Sequence, residues 1–152
     1  PLGEYVPFRD FLGSVPDVLG AAMFVFIPGR QAHVLNASEA PLGVFISYEA
    51  VCAEVTELLS EAQLLVNVSN NAWFGPHLPF QMSRMRAIET GRELLSTTTT
   101  GITAAICYEG MVLKRAPQFK VATLSAEVTP RTGATPYVYS GIGLSLAFPI
   151  SA

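Results

Sequence analysis

The alternation of apolar runs with helical segments constrains the fold of this chain more than any other feature of its sequence. Residues 42–47 and 64–69 are short apolar runs of the kind that form buried strands. Residues 48–60 and 80–92 follow them, and their apolar side chains recur every three or four positions, as on one face of a helix. This order of strand, helix, strand and helix favours a layered α/β sandwich over a barrel or a bundle.

The second half of the chain adds further strand-like runs to this pattern. They cover residues 94–100, 102–107, 111–115 and 121–128. The first of them ends in four consecutive threonines, which we interpret as β-branched filling at the end of a strand. Residues 1–42, in contrast, are irregular and are interrupted by proline and glycine.

Composition excludes several classes of protein. The chain has 152 residues, about one domain's worth, of which 50% are hydrophobic and 14% are charged, against roughly 25% charged in an average soluble domain. Such a chain is too apolar to be disordered. Its low charge suggests that a partner, a membrane or missing sequence covers part of its surface. A net charge of −3 leaves no basic surface for nucleic acid, which we do not expect as a partner.

Neither metal-binding spacing nor a membrane-spanning run is visible. No run of about 18 apolar residues is present, so we expect no transmembrane helix within the chain. Cys52 and Cys107 form neither a disulfide framework nor a zinc spacing, and His33 and His77 are isolated. We therefore expect no metal and no cofactor. Because the chain begins at Pro1, we expect it to be a piece of a longer protein.

The first candidate site is the predicted junction between a strand and a helix at residues 46–49, Ile-Ser-Tyr-Glu. A small nucleophile such as Ser47 at the end of a buried strand is well placed, because adjacent backbone N–H groups can hold an oxyanion. The alternative is an ordinary N-cap serine, which is about twice as common on sequence alone.

Two further segments could contribute to a site. Residues 69–75 follow a strand and contain Trp73, the single tryptophan of the chain, so they could form an aromatic wall with amide donors; an ordinary asparagine turn over a buried tryptophan is equally compatible. In the predicted helix 80–92, where Met82 and Met85 follow the helical spacing, Arg86 and Glu89 are three residues apart. They are either a solvated pair of surface charges or an ion pair that supports the site loop.

Seven segments, in this order, resemble motifs of one family, the apolipoprotein N-acyltransferases, whose periplasmic domain is similar to nitrilases (carbon–nitrogen hydrolases). The segments lie at 1–7 (Pro-Leu-Gly-Glu-Tyr-Val-Pro), 46–49, 68–75 (Val-Ser-Asn-Asn-Ala-Trp-Phe-Gly), 80–89 (Phe-Gln-Met-Ser-Arg-Met-Arg-Ala-Ile-Glu), 99–103 (Thr-Thr-Gly-Ile-Thr), 117–119 (Pro-Gln-Phe) and 132–137 (Thr-Gly-Ala-Thr-Pro-Tyr). Any one of them alone would be a weak signal, whereas seven in order are a strong one.

The resemblance implies an α/β fold, the αββα sandwich of the nitrilase type, incomplete at its N-terminal side. It divides the chain into residues 1–140, the later part of that domain, and residues 141–152, an apolar tail leading toward a membrane segment. It also implies a protein of the bacterial inner membrane with this domain on the periplasmic face. The partners would be a phospholipid as acyl donor and an apolipoprotein as acceptor.

The resemblance also implies a Glu-Lys-Cys triad that transfers the acyl chain through a thioester, with Ser47 at the position of the nucleophilic cysteine. Glu4 would support the catalytic lysine, and Arg86 and Glu89 would give structural support. The substrate-binding residues would be Tyr48, Glu49, Asn70, Trp73 and Phe74.

Two departures from the family bear on activity. Its catalytic glutamate and lysine lie upstream of the segment at 1–7 and are absent from this chain. The hydroxyl of Ser47 is far less acidic than a thiol, whose pKa is about 8.5, so a triad adapted to a thiol would not readily ionise it. We expect the chain to be inactive as it stands, with Ser47 either engineered or a mark of a degenerate copy. Asn71, in place of an aspartate, is a milder change.

Cys107 offers a second possible nucleophile, because residues 106–109 (Ile-Cys-Tyr-Glu) repeat the family's string with its cysteine. The context differs, since the family places here a strand that leads into a hairpin, with Gly110 in the turn. We therefore favour Ser47. Two other functions stay open: a soluble carbon–nitrogen hydrolase acting on amides or nitriles, and a non-catalytic homologue that binds lipid or a protein partner.

Overall fold

The computed structural model describes residues 34–37, 40–52, 61–70 and 77–145. Six strands and two α-helices make up most of this part. In chain order they are β1 (Val34–Asn36), β2 (Pro41–Ile46), a 3₁₀ helix (Ser47–Val51), β3 (Leu64–Ser69), α1 (His77–Thr90), β4 (Leu94–Thr98), β5 (Ala104–Ile106), β6 (Val112–Arg115) and α2 (Pro136–Ser145).

The six strands form one mixed sheet in their sequence order. Strands β2, β3 and β4 are parallel, whereas β1, β5 and β6 pair antiparallel with their neighbours. The parallel strands therefore all end at one edge, which we call the carboxyl edge, with Ile46, Ser69 and Thr98 as their last residues. They all begin at the opposite edge, the amino edge, where Ile106 of β5 pairs with Leu94 of β4.

Helix α1 covers one face of the sheet. Its buried residues are Phe80, Ser83, Ala87 and Thr90, whose spacing of three or four places them on one side of the helix. Because three of the four are small, the helix can lie close to the sheet. Pro79 lies in the first turn, where its missing N–H disrupts no intrahelical hydrogen bond. The apolar core packs between this helix and the strand residues that face it: Phe45, Leu65, Leu94, Ala104 and Ile106.

The other face of the sheet, the open face, is apolar but only partly covered. Val44, Val66 and Leu95 are half-buried there. Nearest the carboxyl edge, Ile46 and Val68, which are direct neighbours in the register, are 48% and 46% exposed. A row of branched apolar side chains with this exposure is the surface expected where another layer packs.

Most of the predicted elements are confirmed. The runs at 42–47, 94–100, 102–107 and 111–115 are strands with ends shifted by one or two residues, and 64–69 is a strand with the predicted bounds. Helix α1 begins three residues earlier than predicted. The predicted helix 48–60 begins as a 3₁₀ helix at Ser47–Val51, and residues 53–60 lie outside the described part.

The strand predicted at 121–128 is wrong. The segment has no regular secondary structure, because strand character requires a neighbouring strand to pair with. Side chains instead contact its backbone: Lys114 Nζ donates to Ser125 O at 2.7 Å, and just beyond it Thr129 N donates to Glu93 Oε2 at 2.9 Å.

The C-terminal described element is α2, Pro136–Ser145, which runs across the predicted domain boundary at residue 140. The division into residues 1–140 and a tail at 141–152 stays a prediction. In the part of the chain that the structure describes, no helix combines the length and the hydrophobicity needed to cross a bilayer.

Candidate functional site at the carboxyl edge

The turn at Ser47 is the most constrained feature of the carboxyl edge. Strand β2 ends at Ile46 and the 3₁₀ helix begins at Ser47, whose φ of 52° lies in the left-handed region. Among the described residues, Phe119 is the one other non-glycine with positive φ. A non-glycine residue held there stores backbone strain, and such strain clusters at functional sites. The sharp turn between strand and helix is also the geometry that presents a nucleophile at the end of a buried strand.

Glu49 contacts this turn directly. The N–H of Ile46 donates to Glu49 Oε2 at 2.8 Å, so the carboxylate folds back across the residue that precedes Ser47. One carboxylate oxygen is thereby fixed at the residue that precedes Ser47. Tyr48 lies between Ser47 and Glu49 in the 3₁₀ helix, and its side chain is outside what the structure describes.

The ends of β3 and β4 bring hydroxyl and amide groups to the same edge. Ser69 pairs with Thr98, and Thr99 N donates to Ser69 O at 3.3 Å. Thr99 Oγ1 donates to Asn70 Oδ1 at 2.7 Å, which fixes the orientation of the Asn70 amide. Because the Asn70 oxygen accepts this bond, its NH₂ group is directed elsewhere and can donate to a ligand.

Thr103 extends this polar edge toward β5. Its Oγ1 accepts a hydrogen bond from Thr98 N at 3.1 Å. Neither Thr99 nor Thr103 is among the predicted site residues. Thr99 belongs to the threonine run that we interpret as strand filling, and Thr103 follows that run. The available signal was the position of the run: threonines at the end of a parallel strand lie at the same edge as the ends of its neighbours.

A polar layer lies beneath this edge, on the face that α1 covers. Asn67 is 1% exposed, and Ser69, Ser83 and Ser96 are also buried. Asn67 Nδ2 donates to Ser83 Oγ at 2.9 Å, which links β3 to α1. None of these four residues except Ser69 lies in a segment that sequence reasoning treated as part of the site loop.

Arg86 and Glu89 form the predicted ion pair, with 2.8 Å between Arg86 Nη1 and Glu89 Oε2. Burial raises the pKa of the Glu89 carboxyl, and the charge of Arg86 partly opposes this shift. Because α1 connects two parallel strands, it runs from the carboxyl edge back to the amino edge, and the pair lies in its second half. The support that this pair would give to the site stays a prediction.

Three predicted site residues, Glu4, Trp73 and Phe74, lie outside the described residues, so their roles stay predictions. Within the described ranges, no three His, Cys, Asp or Glu side chains gather in a way that could hold a metal ion.

Cys107 lies far from this edge in the topology. It follows β5, which runs antiparallel to β4 and ends at the amino edge. The side chain is buried, and the backbone continues into a hairpin: Gly110 N donates to Cys107 O at 2.9 Å, with Gly110 at a φ of 78°. The sheet thus brings Ser47, Asn70 and Thr99 to one edge and places Cys107 at the other.

Solved structures that resemble this fold include nitrilase-superfamily proteins. Nit3 of Saccharomyces cerevisiae superimposes with a TM-score of 0.55 at 16% identity, over 83% of this chain and 48% of its own. An amidase from Nesterenkonia gives 0.56 at 18% identity, over 80% of this chain and 49% of its own. The chain therefore has the α/β fold of the nitrilase superfamily, as the sequence predicted.

Sequence comparison is more specific. No family model matches the chain. A search of curated proteins, in contrast, finds apolipoprotein N-acyltransferases. The one from Nitrosomonas europaea is 41% identical over 97% of this chain, the one from Photobacterium profundum 37% over 93%, and the one from Methylococcus capsulatus 40% over 93%. The chain is thus similar in sequence to apolipoprotein N-acyltransferases, and it spans about 30% of their length, from 29% to 31%.

Proposed function

We propose that this chain is the later part of an N-acyltransferase domain that moves an acyl chain from a phospholipid to the N-terminal amine of an apolipoprotein. Ser47 marks the nucleophile position. The observation that carries the proposal is the strained turn at Ser47, at the carboxyl edge of a nitrilase-type sheet, in a chain 41% identical to an apolipoprotein N-acyltransferase.

The chemistry requires a nucleophile that can be ionised. In the first step, a thiolate at position 47 would attack the ester carbonyl carbon of the phospholipid. A sulfur–carbon bond forms, the ester carbon–oxygen bond breaks, and the lysophospholipid leaves with a proton. In the second step the amine attacks the thioester, so that an amide forms and the thiol is released. With a hydroxyl at this position the first step is slow, and we expect the chain to be inactive as it stands.

The described residues at the edge have distinct roles in this proposal. Glu49 holds the turn through Ile46 N and shapes the site together with Tyr48. Asn70, oriented by Thr99, donates its amide hydrogens to the substrate. Trp73 and Phe74 wall the acyl pocket, and Glu4 supports the lysine that the relatives supply upstream. Arg86 and Glu89 give structural support through the contact between their side chains on α1.

The partners and the location follow from the same proposal. The acyl donor is a phospholipid and the acceptor is an apolipoprotein, which places the domain on the periplasmic face of a bacterial inner membrane. The half-exposed open face supports an incomplete sandwich, because the chain covers about half of each nitrilase-fold chain, 48% and 49%. The remaining layers would pack on Ile46 and Val68.

The test is a chimera in which this chain replaces the matching segment of the Nitrosomonas europaea relative. Three forms are compared: Ser47 unchanged, Ser47→Cys and Ser47→Ala. We expect Ser47→Cys to acylate a diacylglyceryl lipopeptide in the presence of phospholipid vesicles. The unchanged form should be slower by about 100-fold or more, and Ser47→Ala inactive. Mass spectrometry of the trapped acyl-enzyme locates the thioester.

Two outcomes would contradict the proposal. Acylation of Cys107 in place of position 47 would assign the nucleophile to the other edge. A folded but inactive Ser47→Cys chimera would favour the second candidate, a non-catalytic homologue that binds lipid or a protein. The serine at the nucleophile position is the observation that favours that candidate. Hydrolysis of small amides by the same chimera, without acyl transfer, would instead indicate a carbon–nitrogen hydrolase.

A further inference from the structure

An exposed turn follows β6 at the carboxyl edge. Strand β6 runs antiparallel to β5 and therefore ends at this edge, where Arg115 pairs with Ala104. Arg115 Nη2 donates to Gln118 Oε1, and Gln118 Nε2 donates to Thr100 O, both at 3.4 Å. Gln118 thus holds the turn against the segment that follows β4. We call Arg115 and residues 118–121 the edge turn.

Phe119 is the unusual residue of the edge turn. Its φ of 60° lies in the left-handed region, where an aromatic side chain bears a steric cost and has no polar group to offset it. The side chain is nevertheless 81% exposed, and Val121 beside it is fully exposed. Packing within the described part of the chain therefore does not explain a phenylalanine here. Backbone strain together with an exposed apolar side chain is typical of a residue that contacts another molecule.

The segment around the edge turn has the opposite charge to the chain as a whole. Between Glu109 and Glu127 there is no carboxylate side chain, whereas three cations are present: Lys114, Arg115 and Lys120. They include both lysines of a chain whose net charge is −3. Arg115 and Lys120 are exposed beside the exposed aromatic ring. Apolar side chains flanked by cations bind an anionic bilayer surface, because the apolar groups enter the interface and the cations attract the headgroups.

We propose that the edge turn is a docking surface for an anionic phospholipid bilayer. Phe119 and Val121 enter the headgroup region. Arg115 and Lys120 lie against headgroup phosphates.

Docking in this way has a consequence for the candidate site. The edge turn and Ser47 lie at the same edge, on strands four positions apart in the sheet, which is about 19 Å at the usual strand spacing. A bilayer bound by the edge turn therefore faces the carboxyl edge. The inference deepens the proposed function and rests on it for the delivery of the acyl donor. Binding of the bilayer can be measured without catalysis.

The binding test is cosedimentation of the 152-residue chain with two kinds of vesicle. One kind contains phosphatidylglycerol, and the other consists of phosphatidylcholine alone. The open face can add binding that does not depend on lipid charge, so the readout is the ratio of the two partition coefficients. We expect a ratio of about 10 or more at low salt that falls toward unity at high salt, because salt screens the attraction of exposed cations.

Phe119→Asn removes the aromatic ring and keeps the turn, because asparagine tolerates the left-handed region. We expect it to lower the partition coefficient on phosphatidylglycerol vesicles about fivefold or more, and Lys120→Gln to lower it about fivefold. Tyr139→Gln is the matched control: Tyr139 is also an aromatic residue with 81% exposure, but it lies on α2. We expect this variant to bind as the parent does.

Two results of this test would overturn the proposal: Phe119→Asn binds as tightly as the parent, or Tyr139→Gln weakens binding as much. A second copy of the chain is the occupant if Phe119→Asn dissociates a dimer in analytical ultracentrifugation and leaves vesicle binding unchanged.

Amine labelling of the chimera tests whether upstream layers cover the turn instead. We expect Lys120 to react with a water-soluble acetylating reagent about threefold more slowly on phosphatidylglycerol vesicles than on phosphatidylcholine vesicles. Equal protection of Lys120 on both would assign the surface to the upstream layers and overturn the proposal. This measurement also decides the question if the isolated chain does not fold.

The link to acyl transfer is measured in the Ser47→Cys chimera. There we expect Phe119→Asn to raise KM for the phospholipid about threefold or more and to change kcat less than about twofold, because the turn contacts the bilayer and not the reacting atoms. An unchanged KM would overturn the role in delivery of the donor. If the chimera itself lacks activity, the proposed acyl transfer fails, while vesicle binding still decides whether the edge turn docks on the bilayer.

Discussion

The two edges of the sheet are held by different interactions. At the amino edge, arginine side chains donate to backbone carbonyls, most of them in segments far apart in the sequence. Arg92 donates to Ala62 O at 2.7 Å, Thr90 O at 3.2 Å and Gly133 O at 2.5 Å, and Arg84 Nε donates to Gly110 O at 2.6 Å. At the carboxyl edge, short hydroxyl and amide side chains bond across neighbouring strand ends, as between Thr99 and Asn70.

We interpret the amino edge as the part that stabilises the fold and the carboxyl edge as the part that contains the candidate site. At the amino edge, the guanidinium of Arg92 bonds the carbonyls of residues 62, 90 and 133, so it holds the segment before β3, the end of α1 and the segment before α2 together. The carboxyl edge contains the strained Ser47 and the hydrogen-bonded side chains of Asn70 and Thr99. Functional sites commonly concentrate strain that the rest of the fold must offset. We therefore expect substitutions at the amino edge to change stability most, and those at the carboxyl edge to change it little.

The largest effect is expected for Arg92→Met. Its removal leaves three carbonyls without their charged donor. Hydrogen bonds to charged groups make a net contribution of about 1.5–3 kcal/mol each, and contributions that share one side chain do not add in full. We expect the free energy of unfolding to fall by about 3 kcal/mol, measured by urea denaturation. Arg115→Met is the control, since Arg115 is exposed and donates to the Gln118 side chain at 3.4 Å. Equal losses for the two variants would contradict the contrast between the edges.

The hairpin at the amino edge gives a second, smaller effect through Gly110→Ala. A Cβ there would lie 2.7 Å from Ile88 Cδ1, on a backbone with φ of 78°. Gly133 has φ of 93°, but a Cβ there would meet nothing within 4 Å. We expect a loss of about 2 kcal/mol for Gly110→Ala and about 1 kcal/mol for Gly133→Ala, since both pay the left-handed penalty and the first adds a steric contact. Thermal unfolding of both variants measures the two losses. Equal losses would contradict the steric argument, which requires Gly110→Ala to be the less stable variant.

At the carboxyl edge, Ser47→Gly should stabilise the chain. Glycine adopts a φ of 52° without the steric cost that serine bears, although it also gains freedom in the unfolded state. We expect the free energy of unfolding to rise by about 0.5 kcal/mol, and Ser47→Val, which is β-branched, to lower it by about 1 kcal/mol. If glycine were instead less stable than serine by urea denaturation, the turn would not store strain.

Sequence patterns predicted the elements that depend on local composition. Strand β3 has its predicted bounds because residues 64–69 are an apolar run, and Ser47 was singled out because it follows such a run. The same reasoning identified the face of α1 less well: Met85 and Ile88 have the helical spacing, yet they are 49% and 47% exposed, and the smaller Ser83 and Ala87 are buried. Where a helix lies close to a sheet, small residues fill the contact. The spacing of large apolar residues in the sequence therefore does not identify the buried face.

Features that depend on pairing between distant segments could not be predicted. Residues 121–128 have a strand-like composition, but a strand exists only where a neighbour supplies the ladder. The bond between Asn70 and Thr99 depends on the register of β3 against β4, and the positive φ of Ser47 depends on the whole turn. Local patterns alone did not decide between Ser47 and Cys107 as the nucleophile position, whereas the resemblance of seven ordered motifs favoured Ser47. The sheet topology then places the two residues at opposite edges.

The smallest expected effect concerns Glu89, in the half of α1 that approaches the amino edge, where Thr135 Oγ1 donates to Glu89 O. Burial raises the pKa of its carboxyl above the ordinary 4.5, despite the opposing charge of Arg86. The folded state therefore holds this proton more tightly than the unfolded state. The resulting stabilisation is fully present below pH 4.5 and is lost as the pH rises through the raised pKa.

Glu89→Gln removes this titration. We expect the stability of the parent minus that of the variant to fall as the pH rises from 4 to 7. The change should be roughly 0.5 kcal/mol, because partial exposure screens the charge. Urea denaturation at several pH values measures it. If the stability of the parent minus that of the variant instead grows with pH, attraction to Arg86 outweighs the cost of burying the carboxylate. The ion pair would then stabilise the fold.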